Sequence, residues 1–104
     1  MATSRGTTPT YTLVLKDENL NLETATDVYV TFSNKDYRKI LEKSREDLTI
    51  DGNEIEVFLT QNETLKFPLD HVLVQVNWIQ QSKRCASVVG IIPVHRNLKE
   101  EEIV

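Results

Sequence analysis

Apolar and polar positions alternate most cleanly between Val72 and Ile79. Val72, Val74, Val76 and Trp78 fall on one face, and Leu73, Gln75, Asn77 and Ile79 on the other. A period of two in a run rich in β-branched and aromatic residues predicts a strand. Thr60 and Glu63 just upstream have the spacing of a capping box, in which a hydroxyl takes one helix-end N–H and a carboxylate reaches back for another. Leu65 and Phe67 sit where they can pack beneath that turn, and Pro68 ends it, because proline disfavours helical geometry in the residue before it. The pattern therefore predicts a short helical crossover near residues 61–67 that feeds the strongest strand.

The same alternation recurs along the chain. Tyr11, Leu13 and Leu15 oppose Thr12 and Val14, and Val28, Val30 and Phe32 oppose Tyr29 and Thr31. Asp17-Glu18-Asn19 reads as a turn, after which Leu20 and Leu22 predict a short extended segment on the core edge. Ser33 to Asp36 predicts a turn into a third strand, Tyr37 to Lys43. That segment also has helical spacing at Tyr37, Ile40 and Leu41, but it is short for a helix and flanked by strands. Leu48 to Ile50, the Asp51-Gly52-Asn53 turn and Glu54 to Leu59 predict a hairpin with Ile55, Val57 and Leu59 inward. After a loop at Gln80 to Lys83, Arg84 to Val94 predicts the last strand. Ala86, Val88 and Gly90 share one face of it, Gly90 marks a bulge, and Pro93 marks an edge or end.

About seven short strands at roughly ten-residue spacing predict an all-β, immunoglobulin-like antiparallel β-sandwich. Residues 10–94 form the domain. Residues 1–9, without periodicity, read as an N-terminal arm, and residues 95–104, with Glu100-Glu101-Glu102, as a C-terminal tail.

Composition narrows the class. The chain has 104 residues, 39% apolar and 27% charged, enough for one core-forming domain. No apolar run reaches the ~20 residues of a membrane span, and residues 1–9 lack the apolar centre of a signal peptide. A net charge of −4 argues against a general nucleic-acid binder. The single cysteine, Cys85, permits no internal disulfide, which suits a reducing compartment.

Candidate chemistry is sparse. His71 and His95 have no partner at a metal-ligand spacing, and the three glycines are isolated, so no phosphate loop is present. Glu54 and Glu56 share a strand face about 7 Å apart, within glycosidase reach, but read more simply as a solvated face. Arg84 beside Cys85 would favour a thiolate, against the plainer reading of an inert strand cysteine. Trp78 reads as core, or, after a register slip, as an exposed aromatic anchor. The residues imply no catalytic group, cofactor or metal. Contact residues are expected at the two ends: Arg5, Thr7, Thr8, Pro9 and Thr10 in the arm, and Leu98 and Ile103 in the tail.

Four stretches carry a resemblance: Arg5 to Thr12, the Asp51-Gly-Asn-Glu-Ile55 hairpin, Leu59 to Phe67, and Val74-Gln-Val-Asn-Trp78. Together they resemble small β-sandwich proteins encoded by tailed phages and prophages of Firmicutes and related gut bacteria. The Asp36–Asp47 and Gln80–Gly90 regions depart from that pattern. The resemblance implies a virion or tail-region component, assembled in the bacterial cytoplasm, whose partners are other virion proteins in a symmetric assembly. A host-surface or carbohydrate-binding module using Tyr29, Tyr37 and Trp78, or a small inhibitor of a host protein, is the alternative.

Overall fold

The computed structural model of the protein describes residues 2–99. Two β-sheets face each other across one core. The small sheet has the order β2 (Thr10–Val14), β6 (Glu54–Phe58), β5 (Leu48–Asp51). The large sheet runs β1 (Thr3–Ser4), β9 (Gly90–His95), β7 (Asp70–Gln80), β3 (Asp27–Ser33), β4 (Lys39–Ser44). A further strand, β8 (Lys83–Ala86), shares the β9 side of β7 but pairs with its C-terminal half.

The inward faces follow the alternation. Val28, Val30 and Phe32 lie opposite Trp78, Val76 and Val74 and are buried, as are Ile55, Val57 and Leu59. Val72 is also buried, and Trp78 is half-buried against the same core. Gly52, at φ 60°, makes the tight turn between β5 and β6, a conformation glycine adopts without a Cβ clash. The adjacent Asn53 extends the small sheet: its carbonyl accepts from Leu15 N at 3.0 Å and its Nδ2 donates to Leu15 O at 2.6 Å.

The helical crossover is present as α1 (Gln61–Leu65), and it carries the chain from the small sheet to the large one. Thr60 and Glu63 form the reciprocal capping box. Glu63 also joins the sheets electrostatically. Lys43, on the inward face of edge strand β4, places Nζ 2.7 Å from one Glu63 oxygen and 2.9 Å from the other. Burial by itself would raise the Glu63 carboxyl, but hydrogen bonds from Lys43 and Thr60 and the Lys43 charge outweigh it, so it lies below its ordinary 4.5. Phe67, just after the helix, is buried and stacks at a tilt on Phe32, with ring centroids 5.6 Å apart.

Several expectations are corrected. Of the arm expected at 1–9, residues 3–9 do not stand off but dock on their own domain. Thr3 and Ser4 form β1, parallel to β9, so the sheet is not wholly antiparallel. Thr64 anchors the segment beyond: its Oγ1 accepts from Gly6 N at 3.0 Å and donates to Thr7 O at 2.8 Å. A two-residue strand has no periodicity to read, and its partner carbonyls lie far away in sequence. The Leu20–Leu22 stretch is not extended throughout. Leu22–Thr24 forms a 3-10 turn, because Asn21 accepts from Glu23 N and Arg45 donates to the Leu22, Glu23 and Ala25 carbonyls.

Tyr37 lies outside its expected strand, in a turn at φ 63° closed by the Asn34 side chain, which accepts from Asp36 N and Arg38 N. The expected last strand is split. Ser87 takes both backbone groups of Val76, its N–H reaching Val76 O at 2.8 Å and its Oγ accepting Val76 N at 3.0 Å. The ladder breaks there, Ala86 and Val88 face solvent, and Ile92 and Val94 supply the core instead.

Two outcomes test this packing. Thr64→Val keeps the volume but removes both hydrogen bonds to residues 6 and 7. It should cost about 1–3 kcal/mol in urea unfolding, and speed amide exchange at Arg5 and Gly6. Glu63 binds its proton more weakly in the folded chain than in the unfolded one. Its contribution is therefore full above pH 4.5 and is lost as pH falls through the lower folded value. Urea midpoints measured between about pH 3 and 7 should fall on the acid side, and Glu63→Gln should lower the neutral plateau and flatten that fall.

Candidate functional site: an open seam between the sheets

The two sheets are joined differently along their two sides. On one side the 3-10 turn Arg45–Asp47 passes directly from β4, the edge of the large sheet, to β5, an edge of the small one. On the other side, β1 and residues 5–9 close only the half nearest α1. Beyond it, where Ser87 interrupts the ladder, the seam stays open.

The opening is a cleft of about 400 Å³. Leu13, Leu15 and Leu20 form one wall and Val74, Val76 and Trp78 the other. Val14 and Val88 stand at its lips, 61% and 74% exposed, so apolar surface continues out of the cleft. Such continuous apolar surface is what a contact patch requires, whereas single exposed apolar residues are ordinary.

The free edge of β2 borders this cleft, and its polarity follows from register. Leu59 N donates to Pro9 O and Leu15 N to Asn53 O, the residues directly opposite in the β2–β6 ladder. In an antiparallel pair, alternate residues exchange hydrogen bonds with the neighbour. Pro9, Tyr11, Leu13 and Leu15 therefore face β6. Thr10, Thr12 and Val14 direct their N–H and C=O groups outward, where no described residue meets them. β2 carries no charged side chain. The other exposed edges are guarded: Lys39, Glu42 and Lys43 on β4, Asp51 on β5, Lys83 and Arg84 on β8, and only two residues in β1. Charges, shortness and proline are the usual means by which edges avoid pairing, and β2 has none of them.

The expected contact residues distribute unevenly. Arg5 Nη2 donates to Leu65 O at 2.8 Å, and Pro9 O accepts from Leu59 N, so both serve the domain itself. Thr7 Oγ1 donates to Ser4 O at 2.6 Å, and Thr8 is exposed. Thr10 begins the free edge. Leu98 is fully exposed, and Ile103 lies outside the described residues. Thr12 and Val14, which continue that edge, were not among the expected residues, although an uncharged, β-branched first strand was a usable signal.

The remaining chemistry is structural. Cys85 and Arg84 lie on opposite faces of β8: Cys85 pairs with inward Trp78, and Arg84 lines a shallow outer concavity of about 290 Å³. Adjacency in sequence thus does not set that guanidinium beside the thiol. Tyr11 points into the core, where burial pushes its hydroxyl up to about 12. His71 Nδ1 lies 2.7 Å from the exposed Asp70 carboxylate, and Glu54 and Glu56 are solvated. Among the described residues no group of three or more His, Cys, Asp or Glu side chains is placed to hold a metal ion. Nor, among the described residues, is any helix long and apolar enough to cross a membrane.

No family model, curated protein or solved structure matches this chain.

The edge assignment predicts a contrast. Thr12→Pro removes only an outward N–H and should cost about 1 kcal/mol or less, as proline does on an open edge. Tyr11→Pro removes a bond to β6 and should cost about 3 kcal/mol or more. Chemical denaturation of the two variants measures the difference.

Proposed function

We propose that this chain is a non-enzymatic assembly subunit of a tailed-phage particle, a capsid, neck or tail component. It takes its place through the open edge of β2. The observation that carries this reading is the uncharged edge, with its outward N–H and C=O groups beside an apolar cleft. Strand addition uses such an edge: main-chain hydrogen bonds supply affinity, and pockets for alternate side chains supply specificity. The resemblance of Arg5–Thr12, Leu59–Phe67 and the other two stretches to phage virion proteins supplies the setting. In this reading the two sheets form an immunoglobulin-type sandwich, the partners are other virion proteins in a symmetric array, and the protein resides in the particle. The titratable groups with displaced pKa values, Tyr11 and Glu63, serve core and crossover, which favours a structural over a catalytic role.

A second reading rests on the outer concavity of the large sheet. Tyr29, Thr31, Glu42, Asn77 and Arg84 surround it, a mixture of aromatic and polar groups that suits a sugar. It would make the chain a host-surface binding module.

Mass spectrometry of purified particles from a phage encoding this chain tests the first reading. The chain should be present in fixed stoichiometry, and Thr12→Pro should reduce its incorporation at least several-fold while the variant stays folded, melting no more than about 8 °C below the wild type. Absence from particles, with saturable binding of host polysaccharide lost in Tyr29→Ala, would favour the second.

A further inference from the structure

We infer that the partner on the β2 edge is a second copy of the same chain, joined by a two-fold antiparallel β2–β2 pairing. This rests on the assembly reading and names its first contact.

The edge is self-complementary. Because Thr10, Thr12 and Val14 send their backbone groups outward, two copies can exchange hydrogen bonds only in registers that oppose these even positions. The register with Leu13 opposite the partner's Leu13 meets this condition. It pairs Thr12 with Val14 and Thr10 with Lys16 on the outer face. On the inner face it sets Tyr11 against Leu15 and leucine against leucine, so apolar side chains continue across the junction. Every pair but the Leu13 pair on the axis occurs twice by symmetry, as an isologous interface requires. Shifting by one residue would set these outward groups opposite the partner's odd positions, whose backbone groups are already bonded to β6.

Charge favours the antiparallel sense. Residues 2–14 carry one charge, that of Arg5, while Lys16, Asp17 and Glu18 sum to −1 (one cation and two anions). In the Leu13-centred antiparallel register Asp17 and Glu18 of each chain fall opposite Pro9 and Thr8 of the other, toward the end at which Arg5 lies. Each whole chain carries −4, so two copies repel in general and approach most easily along a neutral strip. The neutral strip is β2, and the other edges carry charge, proline or only two residues. The added strand also narrows the open half of the seam, covering Leu13, Leu15 and exposed Val14.

Sedimentation equilibrium of the purified chain, from about 1 µM to 1 mM, reads this directly. The weight-average mass should rise from 12.0 kDa toward twice that value. Thr12→Pro and Thr12→Lys should each weaken association by about 10-fold or more, the equivalent of about 1.4 kcal/mol. Each dilute monomer should stay folded, melting no more than about 8 °C below the wild type. A wild-type mass that stays at 12.0 kDa throughout overturns the proposal, as does a dimer indifferent to both variants. A monomeric chain that still enters particles in a Thr12-dependent way overturns the self-pairing and leaves the assembly reading standing.

Discussion

Two sheets of unequal width share this core, and an uncharged free edge is the consequence. The large sheet curls around a three-stranded sheet that cannot reach it on both sides. The Arg45–Asp47 turn closes one side by covalent continuity. The other side has only the two residues of β1 and the strap after them, so it closes halfway. β2 is left with outward backbone groups that no described residue meets, beside half-buried Leu13, Leu15 and Trp78. In water such groups are solvated at no cost. They become a liability, or a contact, only when another strand arrives.

The ends of this two-sheet fold are tied by side chains placed at chain crossings. Thr64 accepts from residue 6 and donates to residue 7, holding the N-terminal strap against α1. Glu63 caps the same helix and pairs with Lys43 from the opposite sheet edge. Arg45 donates to three carbonyls of the Leu22–Ala25 turn, replacing ladder bonds that the turn cannot make. Each device satisfies backbone groups, some partly buried and some exposed, that a regular sheet would satisfy by pairing. The fold therefore spends its polar side chains on its crossings and keeps few for the exposed face of β2, which carries Thr10, Thr12 and Val14.

Much of this was legible in the sequence, and the residues explain where it was not. Alternation placed β2, β3, β6 and β7 and their inward residues, and the Thr60–Glu63 spacing placed the crossover. Those signals are local, since period two and capping need only a few neighbours. What escaped depends on distant partners. β1 exists because β9 lies beside it, and the Leu22 turn exists because Arg45 arrives from twenty-three residues away. The split after Ala86 exists because Ser87 competes for the backbone of Val76. The site was half legible. The uncharged Thr10–Val14 run was visible, but which backbone groups of β2 face outward is a matter of register. Register is set by pairing with β6 rather than by composition.

Residue-resolved amide exchange in dilute monomeric protein tests the outward polarity of β2 most directly. The account predicts an alternating pattern: slow exchange at Tyr11, Leu13 and Leu15, and fast exchange at Thr10, Thr12 and Val14. Uniform protection along β2 would contradict it, because the edge would then already be paired.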